Sequence, residues 1–358
     1  MSLNHRDGSR DSKQKLECLV VLGCVAALLV TGTVTLAGSR KESTPLAGAR
    51  AQAQAIFNRA NSVCGLERIG GKPFRLEAHI TEVDPQGRIL AGFLTVSWKA
   101  WDAWRRECVV GGDERVEVRN GNMEYRLDHG TWTVQDGAIY DDLNIPLRLY
   151  TWLTLPDDAR ITISRHKLSD GIDVSDVLVQ NTKVYELTGY RFNLETGTPL
   201  SEEDSWGFIH GFSYDIREGR LVPVRVQGFQ GDKQISLWVL TAFSGWMPAD
   251  DAALGIPKGA LAMPVCEGSK DSLVLINHVN PVFPLEAQVK GLSGRVLIRM
   301  RIAPDGSVID PFIVRSTDPL FTASALKAVK QWKYRLSPCE AARAPLDWLV
   351  AINYVAPT

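Results

Sequence analysis

Residues 280–354 carry the pattern that most limits what this chain can fold into. Apolar residues recur at every second position, Val296, Ile298, Met300 and Ile302, with Arg295, Arg299 and Arg301 between them; this period of two indicates a half-buried strand. The turn Pro304-Asp305-Gly306 follows, with residue types that favour a hairpin. A second run, Val308 to Arg315, contains Pro311, which has no N–H to donate. The two runs therefore predict a hairpin whose second strand lies at a sheet edge.

A helix and a further strand are predicted after this hairpin. Asp318 and Pro319 are typical of a helix N-cap and of a first helical position. The helix is predicted to run to about Arg335, because apolar residues recur at helical spacing: Phe321, Ala325, Ala328, Val329 and Trp332. Alternation returns from Leu346 to Val355. The order β-β-α-β predicts a small sheet with one helix laid across it.

This stretch resembles the C-terminal domain of the TonB energy-transducer family. The matching features are the Phe283-Pro284 pair, Ala287, the pair Gly291 and Gly294, the Asp305-Gly306 turn, Ser316, Trp332 and Pro338. The resemblance implies a module that adds a partner's extended peptide to the edge of its sheet. It implies a partner-binding edge at Trp348, Val350, Ile352 and Tyr354, with Phe283 and Pro284 on the approach to it.

The N-terminal residues predict a membrane segment. No charged residue occurs from Cys18 to Ser39, and residues 18–38 would span about 30 Å as a helix. Basic residues precede it, so residues 1–17 are predicted to be a cytoplasmic tail and the bulk of the chain periplasmic. A single-pass signal anchor in the inner membrane is the preferred interpretation. A cleaved signal ending near Ala37 and a lipobox at Cys24 are the alternatives.

Four cysteines lie beyond the predicted anchor: Cys64, Cys108, Cys266 and Cys339. An even number of cysteines in an oxidising compartment suggests disulfides, and four cysteines allow three pairings. Cys64–Cys108 with Cys266–Cys339 is the pairing that keeps each bridge local to its own region. Four buried thiols are the alternative.

The region between the anchor and the C-terminal segment is predicted to be a β-rich domain, residues 46–262, followed by the TonB-like domain at 270–358. A helix is expected at 46–63, a second around Asp141 to Leu155, and a connector from Met247 to Gly268. Short alternating runs between turn signals predict a large antiparallel sheet, curved or partly closed. The fold class is α+β, with an N-terminal membrane helix.

Two segments of this middle region resemble the strand-turn-strand pattern of LolA/LolB-like periplasmic carriers. They are GFLTVSWKAWDAWRREC at 92–108 and ERVEVRNGNMEYRL at 114–127. The resemblance implies a half-barrel closed by helices that shelters an apolar ligand, an acyl chain or a lipoprotein. Packing in the core is preferred to a ligand platform for Trp98, Trp101 and Trp104.

The remaining patterns carry no recognisable chemistry. The six histidines lack metal-binding spacing, and neither a nucleophile with a base nor a phosphate loop is found, so no catalytic residue, metal or cofactor is predicted. The acidic runs Glu202-Glu203-Asp204 and Asp141-Asp142 are expected to be solvated loops. A solvated outer face is preferred for Arg295, Arg299 and Arg301 over a site for an acidic partner or lipid head groups. With a net charge of −1 and no basic stripe, nucleic acid is not an expected partner.

The sequence therefore predicts a TonB-type envelope protein that docks partner peptides by strand addition. An outer-membrane transporter or another envelope protein is the expected partner, with inner-membrane motor subunits as further candidates. Two departures bear on energy coupling: residues 18–38 contain no histidine and no charge, and a folded region stands where the family has a Pro-rich spacer. The alternative function is a periplasmic carrier or sensor whose middle domain binds an apolar ligand, with the TonB-like domain as its docking module.

Overall fold

The computed structural model describes residues 46–67, 71–83, 87–147, 155, 159–181, 186–204, 207–266 and 273–356. None of the helices within these ranges combines the length and the apolar composition that a membrane span requires. The predicted tail and anchor, with Cys18 and Cys24, lie outside the described residues.

In its described residues the middle region contains two α-helices, a 3₁₀ helix at Pro248–Leu254 and thirteen strands. The helices are α1 Leu46–Cys64 and α2 Val134–Asn144. The strands are β1 Phe74–Val83, β2 Ile89–Ala100, β3 Ala103–Val110, β4 Asp113–Asn120, β5 Met123–His129, β6 Arg160–Lys167, β7 Asp173–Asn181, β8 Glu186–Asn193, β9 Pro199–Glu203, β10 Phe208–Arg217, β11 Arg220–Gln230, β12 Lys233–Gly245 and β13 Leu261–Pro264.

The thirteen strands form one antiparallel sheet, in the order β13-β5-β4-β3-β2-β1-β12-β11-β10-β9-β8-β7-β6. The predicted antiparallel, β-rich middle region is confirmed. The sheet is open in the described residues, because β13 and β6 stand at its two ends and do not pair with each other. The predicted connector 247–268 is not all linker: its residues Leu261–Pro264 pair with β5 and extend the sheet by one strand.

One face of this sheet, the inner face, is covered by both helices. Helix α1 buries Ala49, Ala53, Phe57 and Ala60, and α2 buries Ile139 and Leu143. They pack against inward-facing strand residues such as Trp98 and Trp238, each 1% exposed. Complete burial of one such large apolar side chain contributes about 1.5–3 kcal/mol. The inner face is therefore a filled hydrophobic core.

Helix α2 begins at Val134, earlier than the start predicted from the sequence. The predicted helix ran from Asp141 to Leu155, whereas α2 ends at Asn144. Thr133 and Asp136 form a capping box in which each side chain accepts a hydrogen bond from the other residue's backbone N–H, and this fixes the start. The signal Thr-x-x-Asp was present in the sequence. Residues 148–154 and 156–158 lie outside the described part of the chain.

The C-terminal region has its own hydrophobic core. Its strands are β14 Leu273–Asn277, β15 Gly294–Ile302, β16 Val308–Ser316, β17 Lys333–Leu336 and β18 Leu346–Tyr354. Its α-helices are α3 Leu285–Val289, α4 Thr322–Val329 and α5 Pro338–Arg343, and a 3₁₀ turn, Pro319–Phe321, leads into α4. The sheet order is β16-β15-β18, with β14 and β17 in a separate two-stranded sheet.

Most of the predicted C-terminal elements are confirmed. Gly306 has φ +82° in the hairpin turn, Pro311 lies on an edge strand, and the Asp318 side chain accepts a hydrogen bond from Leu320 N. The helix is shorter than predicted, because the chain leaves it after Val329 and residues 333–336 pair with β14. The order β-β-α-β is therefore incomplete: it omits β14, α3, β17 and α5.

One of the two predicted disulfides is present. Cys266 and Cys339 are bonded, with Cα atoms 5.8 Å apart. The predicted Cys64–Cys108 bridge is wrong, since both side chains are buried thiols. Cys64 Sγ donates to Ala60 O within α1, at 3.1 Å. Burial, together with the nearby Glu117, raises the pKa of Cys108 to about 12, so this thiol stays protonated and unreactive.

Candidate functional site

Strand β18 has a free edge. It pairs with β15 along its whole length, from Gly294↔Tyr354 to Ile302↔Leu346, and no other described strand pairs with it. Successive backbone groups of a strand point alternately to its two sides. Half of the N–H and C=O groups of β18 therefore face away from β15, where another strand could bind them.

The predicted partner-binding residues have different environments. Ile352 and Tyr354 are 6% and 4% exposed, so their side chains belong to the C-terminal core. Phe283 packs edge-to-face against Phe321 and Tyr354, with ring centroids 5.8 and 5.9 Å apart. Trp348 is 41% exposed. The other two predicted residues, Val350 and Pro284, are half-buried.

A cleft of about 430 Å³ borders the first half of β18. It is lined by four consecutive residues, Leu346 to Leu349. Because neighbouring residues of a strand point to opposite faces, contact with all four indicates that the space reaches the edge of β18; it also extends to Arg299 on β15 and Asp141 on α2. Its opposite wall includes Trp104, Arg126 and Met263 from the middle region. This volume is typical of a ligand site, and we call this space the edge cleft.

The wall opposite β18 is a lattice of cross-strand charges. Arg106, Glu117 and Arg126 face one another in register across β3, β4 and β5. Arg115 and Asp128 form a second row. Arg115 donates to both carboxylate oxygens of Asp128, at 2.7 and 3.1 Å. The Nε of Arg126 lies 3.7 Å from the same carboxylate. Burial and the neighbouring Arg115 lower the pKa of Arg126.

Below this lattice lies a buried ion pair. Arg106 Nη2 donates to Glu67 Oε2, and both side chains are 4% exposed. The Arg106 guanidinium also stacks on the Trp104 ring, 4.4 Å from its centroid. Burial by itself would lower the pKa of Arg106, but Glu67, Tyr140 and Glu117 together more than offset it and the pKa is raised. Glu67 and Arg106 therefore fix the segment after α1 to the sheet.

The face of β15 that carries its arginines is a contact with the middle region. Arg299 is only 8% exposed and donates to Asp141 Oδ2 on α2 at 2.8 Å. Helix α2 approaches closely because residue 137 is glycine: a Cβ there would lie 3.2 Å from Arg299 Nη2. The predicted solvated face is therefore wrong for Arg299. Asp141 is 54% exposed, as predicted, but it lies on α2 and not in a loop.

Two further ties join the regions near the edge cleft. Arg343, the last residue of α5, contacts Glu124 Oε2 at 2.5 Å and donates to Pro264 O at 2.7 Å. The Cys266–Cys339 disulfide links the segment after β13 to α5. The two regions that bound the edge cleft are therefore cross-linked by a disulfide.

A third arginine of the C-terminal region enters a titratable cluster. Arg315 donates to Asp204 at 2.9 Å and lies 3.9 Å from the centroid of the Phe208 ring. Burial and, to a smaller extent, the positive charge of Arg315 lower the pKa of His210 to about 4. Burial and, to a smaller extent, the negative charge of Asp204 raise the pKa of Glu202 to about 7. Glu202 and Glu203 lie on β9, with Glu202 opposite His210, so the predicted solvated loop is wrong for these two residues.

These two residues give opposite pH dependences of stability. Glu202 keeps its proton in the folded state above its ordinary pKa, so it makes stability fall as pH rises from about 4.5 to about 7. His210 stays neutral in the folded state, so it makes stability rise from about pH 4 to about 6.5. In Glu202→Gln only the His210 effect remains, so we expect the free energy of unfolding to rise with pH. In His210→Gln only the Glu202 effect remains, so we expect it to fall with pH. Each change amounts to up to about 3 kcal/mol. Urea unfolding from pH 4 to 8 measures both, and parallel profiles in the two variants would contradict the assignment.

Other sequence candidates are dispersed. Trp98 is buried in the core, Trp101 is 57% exposed, and Trp104 lines the edge cleft, so the three share no platform. Among the described residues, no group of three or more His, Cys, Asp or Glu side chains could hold a metal ion. Sequence reasoning missed Arg126, Asp347 and Met263 as residues of the cleft, because the cleft exists only where distant parts of the chain meet.

Comparison with known proteins supports the TonB resemblance of the C-terminal segment. Residues 279–355 match the model of the family "Gram-negative bacterial TonB protein C-terminal", which is about a fifth of the chain. Among curated protein sequences, none matches this chain. The TonB resemblance of the C-terminal segment is therefore confirmed at the level of the family model.

Solved structures similar to parts of this chain include a LolA superfamily protein and two TonB C-terminal domains. A LolA superfamily protein from Nitrosomonas europaea is 11% identical, with a TM-score of 0.35, over 55% of this chain and 96% of its own. The TonB C-terminal domain of Pseudomonas aeruginosa is 18% identical, with a TM-score of 0.21, over 25% and 92%. TonB2 of Vibrio anguillarum is 25% identical, with a TM-score of 0.21, over 26% and 90%.

Proposed function

We propose that this chain is a cell-envelope docking protein that binds an extended segment of a partner along the free edge of β18. The observation that carries the proposal is the unpaired edge of a nine-residue strand, Leu346–Tyr354, that contains no proline. Strand addition obtains affinity from main-chain hydrogen bonds and selectivity from alternate side chains. In this proposal Trp348 and Val350 contact the partner, whereas Ile352, Tyr354, Phe283 and Pro284 hold the edge in place.

The periplasm is the proposed location. The Cys266–Cys339 disulfide is in keeping with an oxidising compartment, and the predicted anchor 18–38 would deliver the chain there. The expected partner is an outer-membrane transporter or another envelope protein. Coupling to a proton-driven motor is left out of the proposal, because residues 18–38 contain no ionisable side chain except cysteine thiols.

The alternative function, an apolar ligand held in the middle region, needs a rearrangement. The inner face of the sheet is occupied by α1 and α2, and Phe57, Leu143 and Leu147 are at most 1% exposed. An acyl chain would have to displace one of these helices and the side chains that it buries. The edge of β18, by contrast, is available without any displacement of the described residues.

A pair of proline variants tests the proposal. Peptides are selected from a display library of random twelve-residue sequences on the full chain, and their affinity is measured for Leu349→Pro and Val350→Pro. Adjacent amides of β18 point to opposite sides, so one substitution removes a donor at the free edge and the other a donor to β15. The variant that loses the donor at the free edge should bind peptide at least about tenfold more weakly, with little loss of stability. The variant that loses the donor to β15 should have a destabilised fold.

The pair provides its own control, because both variants carry the same chemical change one residue apart. Unchanged affinity in the variant that remains folded would show that peptides bind elsewhere. Failure to select any peptide on the full chain would contradict the proposed function itself.

A further inference from the structure

We infer that the middle region forms the second wall of the peptide site, and that its Arg126 selects a partner segment carrying an acidic side chain. This inference rests on the proposed function of β18. It adds a recognition element from a part of the chain that the family match at 279–355 does not include.

The position of the edge cleft carries the first step. A strand added to β18 would lie about 4.8 Å from it, on the side away from β15. Beside Leu346–Leu349 that space is the edge cleft, whose far wall holds Arg126 on β5 and Met263 on β13. The incoming strand would therefore pass between the two regions and contact both.

The pairing of charges around Arg126 carries the second step. Arg115 and Arg126 share one carboxylate, Asp128, and Arg115 takes both of its oxygens. The other carboxylate beside Arg126 is Glu117, which lies between Arg106 and Arg126 and accepts a hydrogen bond from Tyr140 Oη. Among the described residues, the nearest carboxylate oxygen recorded for Arg126 is therefore at 3.7 Å. A carboxylate that enters the cleft would approach this guanidinium, whose side chain is 17% exposed, more closely than Asp128 does and form a charge-assisted hydrogen bond with it.

The other cleft charges restrict where an acidic side chain can bind. Arg343 is held by Glu124 and by the carbonyl of Pro264, and Arg299 by Asp141. Asp347, on β18 itself, contributes a negative charge 3.9 Å from Arg299. An acidic residue is therefore favoured at one register position of the partner, opposite Arg126, and disfavoured next to Asp347.

Peptide selection with the full chain tests this inference. Random twelve-residue peptides are selected in parallel on the wild type, on Arg126→Gln and on Arg165→Gln, a matched change at an exposed arginine of β6 at the far end of the sheet. The best wild-type peptide is then compared with its Glu→Gln or Asp→Asn counterpart. We expect one position enriched in Glu or Asp, and an affinity preference of about tenfold for the acidic peptide. That preference should be lost in Arg126→Gln and kept in Arg165→Gln.

The outcomes separate this inference from the proposed function. Peptides that bind at β18 without acidic enrichment, or with a preference that survives Arg126→Gln, would overturn the inference and leave strand docking in place. A preference lost equally in Arg165→Gln would overturn it as well, since a general charge effect would then explain it. No selected peptide at all would overturn both.

Discussion

Arg106→Met should lower the free energy of unfolding by about 3–5 kcal/mol. The substitution keeps an unbranched apolar stem but leaves the Glu67 carboxylate, 4% exposed, without the cation that it contacts. It also removes the guanidinium stacked on Trp104. An unpaired buried charge is among the few causes of such a large effect, whereas an exposed arginine contributes little. Urea unfolding monitored by tryptophan fluorescence measures the change.

Two comparison variants make this prediction specific. Arg165→Met removes an exposed arginine from β6 and should change stability by less than about 0.5 kcal/mol. Glu67→Leu combined with Arg106→Met removes both charges and should recover most of the lost stability. If the double variant were as unstable as Arg106→Met alone, packing of the arginine rather than an uncompensated charge would explain the loss.

Cys266→Ser with Cys339→Ser should cost about 2–4 kcal/mol. The disulfide closes a loop with a sequence separation of 73 residues, and cross-links over long loops restrict the unfolded chain strongly. It also joins β13, at the edge of the large sheet, to α5 of the C-terminal region. Without it, the ion pairs of Arg343 with Glu124, Arg299 with Asp141 and Arg315 with Asp204 would still join the regions, but no covalent cross-link would. Thermal and urea unfolding of the double variant measure the loss.

A reductant provides the control for this second prediction. Dithiothreitol should destabilise the wild type by about the same amount and leave the double variant unchanged, since Cys64 and Cys108 are already thiols. Destabilisation of the double variant by the reductant would indicate another disulfide, and so would contradict the assignment of these two thiols.

Local patterns predicted the C-terminal elements well. The alternation of β15, the turn at Asp305-Gly306 and the N-cap at Asp318 depend on neighbouring residues only. Trp332 continues the apolar spacing of α4, and this local pattern predicts a helix that runs to about Arg335. Tertiary pairing of β17 with β14 overrode that local preference.

Long-range contacts were beyond the reach of these patterns. Arg299 and Asp141 are 158 residues apart, so no local pattern links them. The same holds for the edge cleft, whose walls come from β5 and β18. The pairing Cys64–Cys108 assumed that nearby cysteines bond, but Cys64 Sγ donates within α1 and Cys108 faces the inner core. The predicted domain limits at 262 and 270 remain predictions.

The attachment of the C-terminal region affects how a partner would be captured. A Pro-rich spacer would give a docking domain reach and freedom of orientation. Here the disulfide and the arginine contacts hold β18 beside the sheet of the middle region. The partner would therefore have to bring its extended segment to a fixed cleft, which favours selective over broad recognition.

Amide hydrogen exchange of β18, measured residue by residue, tests the central claim most directly. The full chain is compared with and without the best peptide from the display selection. Strand docking predicts that the peptide slows exchange at alternate residues from Leu346 to Tyr354, the amides that face away from β15, because the others are already bonded within the sheet. Unchanged exchange along β18, with slowed exchange in α1 or α2 instead, would contradict the account and move the binding site to the inner face of the middle region.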